Sequence, residues 1–376
     1  MDRNVDGTRN CPGGRELLQS SSDHQVRPAG APLSRRTFIR RAGTGAIAIT
    51  GAAMVGSGVS FRGSVVAAAP KGKPTIGYIQ FATFNTYAVQ FGREAASFAA
   101  AHKAEMNFVT AQANGDIGQQ AFLINDMVAK GVKAIVFEPL SETALVAPIK
   151  RALQRGIAVV TVNATVNTPV TTQIVESDFE FGHIGGAFLR KALNGKGQIV
   201  ALRGLASSSI SINRWKGVRA ALAGSSIKVV DQAFCAWDQS QGKQAMSTML
   251  AAYPSLAGIY SEGGAMSEGA IEAEQAAGRK ILPITGEGSN GFLKVWTKLR
   301  ISSVAPSEPT YSSAVGVEAA LHIAQGKKVP RVIAVPLVAI TDANLHQYAR
   351  PGCSDSLWVP TYLSKGILHG DYGCPM

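Results

Sequence analysis

Cysteine is scarce: only four in 376 residues. There is no CxxC and no Cys/His spacing suited to a metal, so a structural metal centre is not expected. Long apolar runs are also scarce. Residues 42–59 form one, and no other run reaches the length of a membrane-spanning helix. Blocks of basic charge are missing too. Lys and Arg outnumber Asp and Glu by 37 to 25, yet beyond residue 69 no Lys/Arg run is longer than Lys327-Lys328. Nine Lys+Arg and four Asp+Glu fall in the first 69 residues, leaving +7 on the remainder. No basic strip alternates with aromatics, so no nucleic-acid partner is expected. A moderate positive balance serves solubility instead. What is present is apolar bulk, 46% of the chain, enough to give two globular domains a sizeable core.

Residues 1–33 are polar and rich in Gly, Ser, Arg and Pro, a composition expected to be disordered. Ser34-Arg35-Arg36-Thr37-Phe38-Ile39-Arg40 follows, then the small-residue apolar run, then Ala67-Ala68-Ala69. Together these make a twin-arginine export signal, cut near Ala68 or Ala69. The competing reading is a membrane anchor, which a glycine-rich, weakly hydrophobic run would make poorly. The mature protein is thus expected to be soluble and periplasmic, or otherwise exported. Cys11 leaves with the leader. Outside the cytoplasm, Cys353 and Cys374 are expected to pair and staple an aromatic- and Pro-containing tail with little helical pattern. Cys235 then reads as a buried small hydrophobe.

The remainder alternates between short apolar strands and amphipathic helices. Strands are expected at 76–80, 106–110, 134–137, 158–162, 172–176, 198–202, 227–233, 256–260, 281–285, 301–305, 332–335 and 337–341. Helices are expected from 87 onward and at 119–130, 142–155, 178–193, 211–222, 240–253, 266–277, 291–297 and 311–325. Asp178 reads as a helix N-cap. Short apolar strands spaced by helices mean parallel sheets covered on both faces. There are too many units for one comfortable sheet, so two doubly wound α/β lobes fit better. The break is expected near residues 176–178, where a strand ends without a close partner.

One stretch, residues 75–101, reads strand, aromatic loop, helix. Phe81, Phe84, Asn85 and Tyr87 crowd its turn, and Tyr87, Phe91, Ala95 and Phe98 then recur at helical spacing. Aromatic rings at the carboxyl end of a strand sit where open α/β sheets bind ligands. Glu138 and Glu287 each end a buried strand, where an idle carboxylate would be costly. Trp237 precedes Asp238 in a strand-to-helix loop and reads as a pocket residue. Trp215 and Trp296 fall on helical faces and read as core.

The order of these patterns resembles the ribose-binding-protein group of periplasmic solute-binding proteins of ABC importers. The resemblance covers residues 74 to about 341. It rests on Phe84-Asn85-Thr86-Tyr87, Lys130-Gly131-Val132-Lys133-Ala134-Ile135-Val136, Glu138-Pro139, the run from Gly156 to Asn163, Glu176-Ser177-Asp178 and Arg214-Trp215-Lys216-Gly217. It implies the type I periplasmic binding protein fold: two parallel-sheet lobes joined by a three-crossover hinge. The crossovers fall near residues 176–178, 305–308 and 335–337. The N-terminal lobe would be residues 70–177 plus 307–335. The C-terminal lobe would be 178–306 plus 336–349, with 350–376 a Cys-bounded tail.

The resemblance also implies pocket positions. Phe84, Asn85 and Tyr87 would stack on and cap the ligand. Glu138, Asn163, Trp237, Gly263, Glu287 and Ser307 would line the cleft. The family's Asn-Asp pair stands here as Gly263-Gly264, and its next basic residue after Asn163 as Ala164. Its ligand-reaching arginine is replaced by Ile212, leaving Arg214 in a structural place. Acceptors at Glu138, Glu287 and Glu262 then suit a small sugar or polyol, since ionised acceptors strengthen hydrogen bonds from hydroxyls. The alternative is a cationic amine held by those carboxylates with Trp237 and Tyr87. No cofactor and no catalysis are implied. The partners would be a small polar solute and the membrane subunits of an ABC permease, with the receptor a monomer. A sensor module of the same fold is a further alternative.

Two motifs point elsewhere. Residues 286–291 spell G-x-G-x-x-G between a strand and a helix, with Glu308 at the distance of a ribose-binding acid. Glu287 would crowd a pyrophosphate there. Ala265-Met266-Ser267-Glu268-Gly269 resembles a nucleophile elbow but lacks its first Gly, so Ser267 reads as a helix-start serine.

Overall fold

The computed structural model describes residues 72–206 and 208–376. The start expected to be disordered, the expected twin-arginine signal with its cleavage site, and Cys11 lie outside the described residues. Among the described residues, no helix is long and apolar enough to cross a membrane.

The chain runs β1 (Thr75–Gln80), α1 (Thr86–Ala101), β2 (Asn107–Gln112), α2 (Ile117–Ala129), β3 (Ala134–Phe137), α3 (Val146–Gln154), β4 (Ala158–Asn163) and β5 (Thr172–Val175). It continues through α4 (Asp178–Ala192), β6 (Lys196–Arg203), α5 (Ser209–Leu222), β7 (Ser226–Phe234), α6 (Gln239–Ala252), β8 (Leu256–Ser261) and α7 (Gly264–Ala276). Next come β9 (Ile284–Thr285), α8 (Asn290–Leu299), β10 (Ser303–Ser307), α9 (Ser312–Ala324), β11 (Val332–Ala334) and β12 (Val338–Ile340). Two helices absent from the sequence reading close the chain, α10 (Leu345–Tyr348) and α11 (Lys365–Tyr372). Ser364 caps α11 by accepting from Ile367 N.

Two six-stranded sheets form. Their orders are β11-β5-β4-β3-β1-β2 and β12-β10-β9-β8-β6-β7, the same winding repeated. Every pairing is parallel except β10 with β12. The chain passes between the sheets three times, after β5, after β10 and after β11. β5 does not lack a partner: it lies between β4 and β11. That neighbour returns from far along the chain, which a local reading cannot see.

Side-chain alternation explains the layers. Ile76, Tyr78, Val136, Val160 and Val162 share one apolar cluster with α1 and α9. Ile79, Ile135, Phe137 and Val159 point the opposite way, into a cluster with α2 and α3. The period of two in each strand thus feeds two cores. The second sheet does likewise. Val200, Leu202 and Ile259 pack with α6, α7 and α8, and Ile199, Ala201 and Tyr260 with α4 and α5.

Ser177, not Asp178, caps α4, its hydroxyl accepting from Glu180 N at 3.2 Å. Asp178 is instead the first helical residue and is buried. Helices α4 and α5 touch backbone to backbone. A Cβ on Gly217 would stand 1.9 Å from Phe179 O, and one on Gly182 1.7 Å from Arg214 O. Gly217→Ala should therefore cost about 2 kcal/mol or more through overpacking. A urea titration giving an unchanged midpoint would show that the helices can separate freely.

Candidate ligand site

Both sheets direct the carboxyl ends of their strands at one cavity of about 120 Å³. From the first sheet come Phe81, Phe84 to Tyr87, Glu138 to Leu140 and Asn163. From the second come Leu205, Ser208, Ile210, Arg214, Trp237, Gly263 to Ala265, Glu287 and Glu308. This is the crevice that doubly wound sheets offer to ligands. Among the described residues, no group of three or more His, Cys, Asp and Glu could hold a metal ion.

Eight of the nine expected positions meet here: Phe84, Asn85, Tyr87, Glu138, Asn163, Trp237, Gly263 and Glu287. Ser307 does not. It is fully buried in β10, its hydroxyl donating to Ala305 O, and its neighbour Glu308 lines the cavity instead. Asn85 has a second task, since its Oδ1 accepts from Ala88 N at 2.8 Å and caps α1. Phe84 stands at the mouth, 58% exposed. Tyr87 packs on Phe91 with ring centroids 5.8 Å apart.

Backbone strain concentrates at Trp237. Ala236 and Trp237 both adopt left-handed geometry, at φ 48° and 56°. Non-glycine residues held there cost about 1–3 kcal/mol each and cluster at functional sites. Two glycines make room for the indole. A Cβ on Gly204 would lie 2.1 Å from the Trp237 ring, and one on Gly263 2.9 Å from it. The Gly263 departure from the family pattern therefore has a steric reason.

Arg214 corrects another expectation. It is 3% exposed, lines the cavity and is the hub of a buried charge cluster. Its guanidinium reaches Glu308 at 2.7 Å, Asp178 at 3.3 Å and Glu287 at 3.5 Å, and donates to Glu262 O at 2.7 Å. It also lies 3.7 Å from the centre of the Phe181 ring. The cavity therefore keeps a cation despite Ile212 standing at the position of the family's ligand-reaching arginine. Ile212 itself is exposed and is not a lining residue. Nor does Glu262 line the cavity. Its carboxylate accepts from Gly204 N and Ser211 Oγ and pairs with Arg203.

Burial raises the Glu138 carboxyl to about 8, against a hydrogen bond from Asn163 Nδ2 at 3.4 Å that opposes the rise. Burial likewise raises Glu287 to about 8, with Arg214 opposing and the Glu308 charge reinforcing it. At neutral pH both carboxyls hold a proton, so each can donate as well as accept. Three buried lining atoms have no hydrogen-bond partner within the protein: Tyr87 Oη, Asn163 Oδ1 and Glu308 Oε1.

The tempting motifs are accounted for. In the G-x-G-x-x-G turn, Asn290 N and Gly291 N, the donors an anion would use at the start of α8, donate to Leu357 O and Asp355 O. The C-terminal tail thus covers a would-be phosphate site. Ser267 is fully buried in α7, its hydroxyl hydrogen-bonded to Gly263 O and Thr285 O. Cys235 is buried and free, its thiol pushed up to about 11 by burial. Trp358, from the tail joined by the Cys353–Cys374 disulfide, lines the cavity although no local pattern singles it out. The one available signal was a tryptophan, a costly side chain, inside a cysteine-bounded segment.

Residues 76–328 match the periplasmic binding protein domain. The chain belongs to this family. It is 26% identical over 238 residues to the ribose import binding protein of Bacillus subtilis, covering 63% of this chain and 78% of that one. It is 27% identical over 305 residues to a xylitol-binding protein of Mycolicibacterium smegmatis, covering 80% and 86%. Its fold is that of an ABC transporter solute-binding protein from Bacillus halodurans solved with bound myo-inositol. The TM-score is 0.71 at 20% identity, over 75% of this chain and 99% of that one. Like the relatives it matches, it is a binding protein and not an enzyme.

Proposed function

We propose that the protein is the exported solute receptor of an ABC transporter, closing two lobes on a small sugar or polyol and delivering it to a membrane permease. The observation that carries this is the set of unpartnered buried atoms, Tyr87 Oη, Asn163 Oδ1 and Glu308 Oε1, in a cavity walled by aromatic rings. Buried polar atoms left unpaired are costly, and ligand hydroxyls would pair them. The rings would cover the ligand's C–H surface. Relatives named for ribose import and xylitol binding support the same ligand class. The lobes are taken as residues 70–177 plus 307–335 and residues 178–306 plus 336–349, hinged where the chain passes between the sheets. The leader provides for export.

A cationic amine is the second reading. It is favoured by three lining carboxyls, Glu138, Glu287 and Glu308, set against one guanidinium. The protons held by Glu138 and Glu287 at neutral pH weigh against it. Thermal-shift titrations with xylitol, D-ribose, myo-inositol, glycerol and putrescine separate the two. A ligand at a hundred times its Kd should stabilise the protein by about 2.7 kcal/mol. A polyol or sugar should raise the melting temperature at pH 7, and Trp237→Ala should weaken that binding about tenfold or more. A shift from putrescine alone would favour the amine. Unchanged binding by Trp237→Ala would remove that residue from the site.

A further inference from the structure

We propose that the disulfide-closed C-terminal segment, residues 350–376, is a wall of the ligand pocket, with Trp358 as its solute-contacting, specificity-setting residue. The proposal rests on the polyol reading of the site above. It concerns a part of the chain beyond residues 76–328, where the family match ends.

Trp358 is 6% exposed and stands in the cavity lining beside Tyr87, their ring centroids 5.1 Å apart and nearly perpendicular at 84°. Its polar atoms are already engaged. The indole Nε1 donates to Thr86 Oγ1 at 2.8 Å. The backbone N donates to Gln90 Oε1, and the backbone O accepts from Gln90 Nε2, both at 2.8 Å. Gln90 is itself fully buried. What Trp358 has left to offer the cavity is its ring. With Tyr87 and Trp237, that makes an apolar surface suited to the C–H face of a small polyol.

The segment is hydrogen-bonded to elements packed on both sheets. On one side, Gln90 and Thr86 belong to α1, and Glu94 of the same helix accepts from Thr361 Oγ1 and Tyr362 N. On the other side, Val359 N donates to Gly288 O, and Asn290 N donates to Leu357 O. Asn290 also accepts from Arg350 N at 2.8 Å, and Lys294 reaches Cys353 O and Asp355. The Cys353–Cys374 bond and α11 close the segment behind the indole. A ring held this way narrows the cavity whichever solute enters. It selects by size as well as by apolar contact.

The test uses isothermal titration with glycerol, xylitol, D-ribose and myo-inositol on the protein and on Trp358→Ala, Trp358→Leu and Trp358→Phe. Circular dichroism, and after denaturation a count of two thiols, Cys11 and Cys235, or of one where the leader has been removed, establish that each variant is folded with its disulfide closed. Trp358→Ala should weaken the tightest-bound probe about tenfold or more. It should also raise the affinity for myo-inositol relative to glycerol, because the cavity widens. Trp358→Phe should stay within about threefold of the unmodified protein, since a ring remains. Should Trp358→Ala fail to fold, Trp358→Leu keeps most of the volume without the aromatic face and should show the same loss. Unchanged affinities and size ranking in a folded, disulfide-closed Ala or Leu variant would overturn this proposal and leave the polyol reading standing. An unmodified protein silent to all four probes would overturn both.

Discussion

Arg214→Met should cost the protein about 3–5 kcal/mol of stability, as removal of one partner from a buried ion cluster does. Three carboxyl groups, from Asp178, Glu287 and Glu308, lie within 3.5 Å of the guanidinium, and all are almost fully buried. Methionine fills part of the volume over Phe181 but carries no charge. Those of the three that are ionised must then take up a proton or move, and either is unfavourable. The backbone carbonyl of Glu262 also loses its donor. The loss should be larger at pH 8 than at pH 5, because acid supplies the protons that replace the missing cation. Arg93→Met is the control. Arg93 pairs with Asp371 at 3.0 Å, but both side chains are about one-third or more exposed. Such pairs contribute about 0–1 kcal/mol. Urea titrations of both variants at the two pH values provide the measurement. Equal losses for Arg214→Met and Arg93→Met would mean that the cluster is not held by its arginine.

A second large effect is expected from pH. Glu94 and Glu274 are held at about 7, and Glu138 and Glu287 at about 8, with burial the leading cause in each. All four are raised above the ordinary 4.5, so the folded protein binds more protons than the unfolded chain between those values. Stability must then fall as pH rises from about 4.5 to about 8. For Glu274 alone, a rise from 4.5 to about 7 corresponds to roughly 3 kcal/mol lost above pH 7. The melting temperature should therefore drop between pH 5 and pH 8 at constant ionic strength. Glu274→Gln should flatten part of that slope, because Glu274 is fully buried and its Oε2 has no partner. A melting temperature that rises over this range would contradict the assignment. Bound solute should lessen the slope if it contacts Glu138 and Glu287.

These side chains differ in how far the sequence exposes their roles. Glu138 and Glu287 are legible because each follows an apolar strand directly, and the carboxyl end of a parallel strand is where such folds place ligands. Phe84, Tyr87 and Trp237 are legible on the same ground. Arg214 is not. Its spacing places it on the buried face of a helix, and nothing local reveals that Glu287 and Glu308 arrive beside it from other strands. Ser307 and Glu308 show the limit of position within a strand: one residue's difference in register decides which enters the cavity and which enters the core.

By itself, the sequence determined the alternation of strands and helices, the division into two doubly wound lobes and the aromatic and acidic residues at strand ends. The elements follow from periodicities of 2 and 3.6 and from short-range chemistry, which any window of the chain carries, while the remaining pocket positions came from the family resemblance. Only the tertiary structure decided the burial of Arg214 among three carboxyls, the pairing of β5 with β11 and the arrival of Trp358 beside Tyr87. It also decided that the tail, rather than a phosphate, covers the G-x-G-x-x-G turn. Each of these joins residues far apart in the chain. Their contact energy depends on how the layers meet, and that is not written in any single segment.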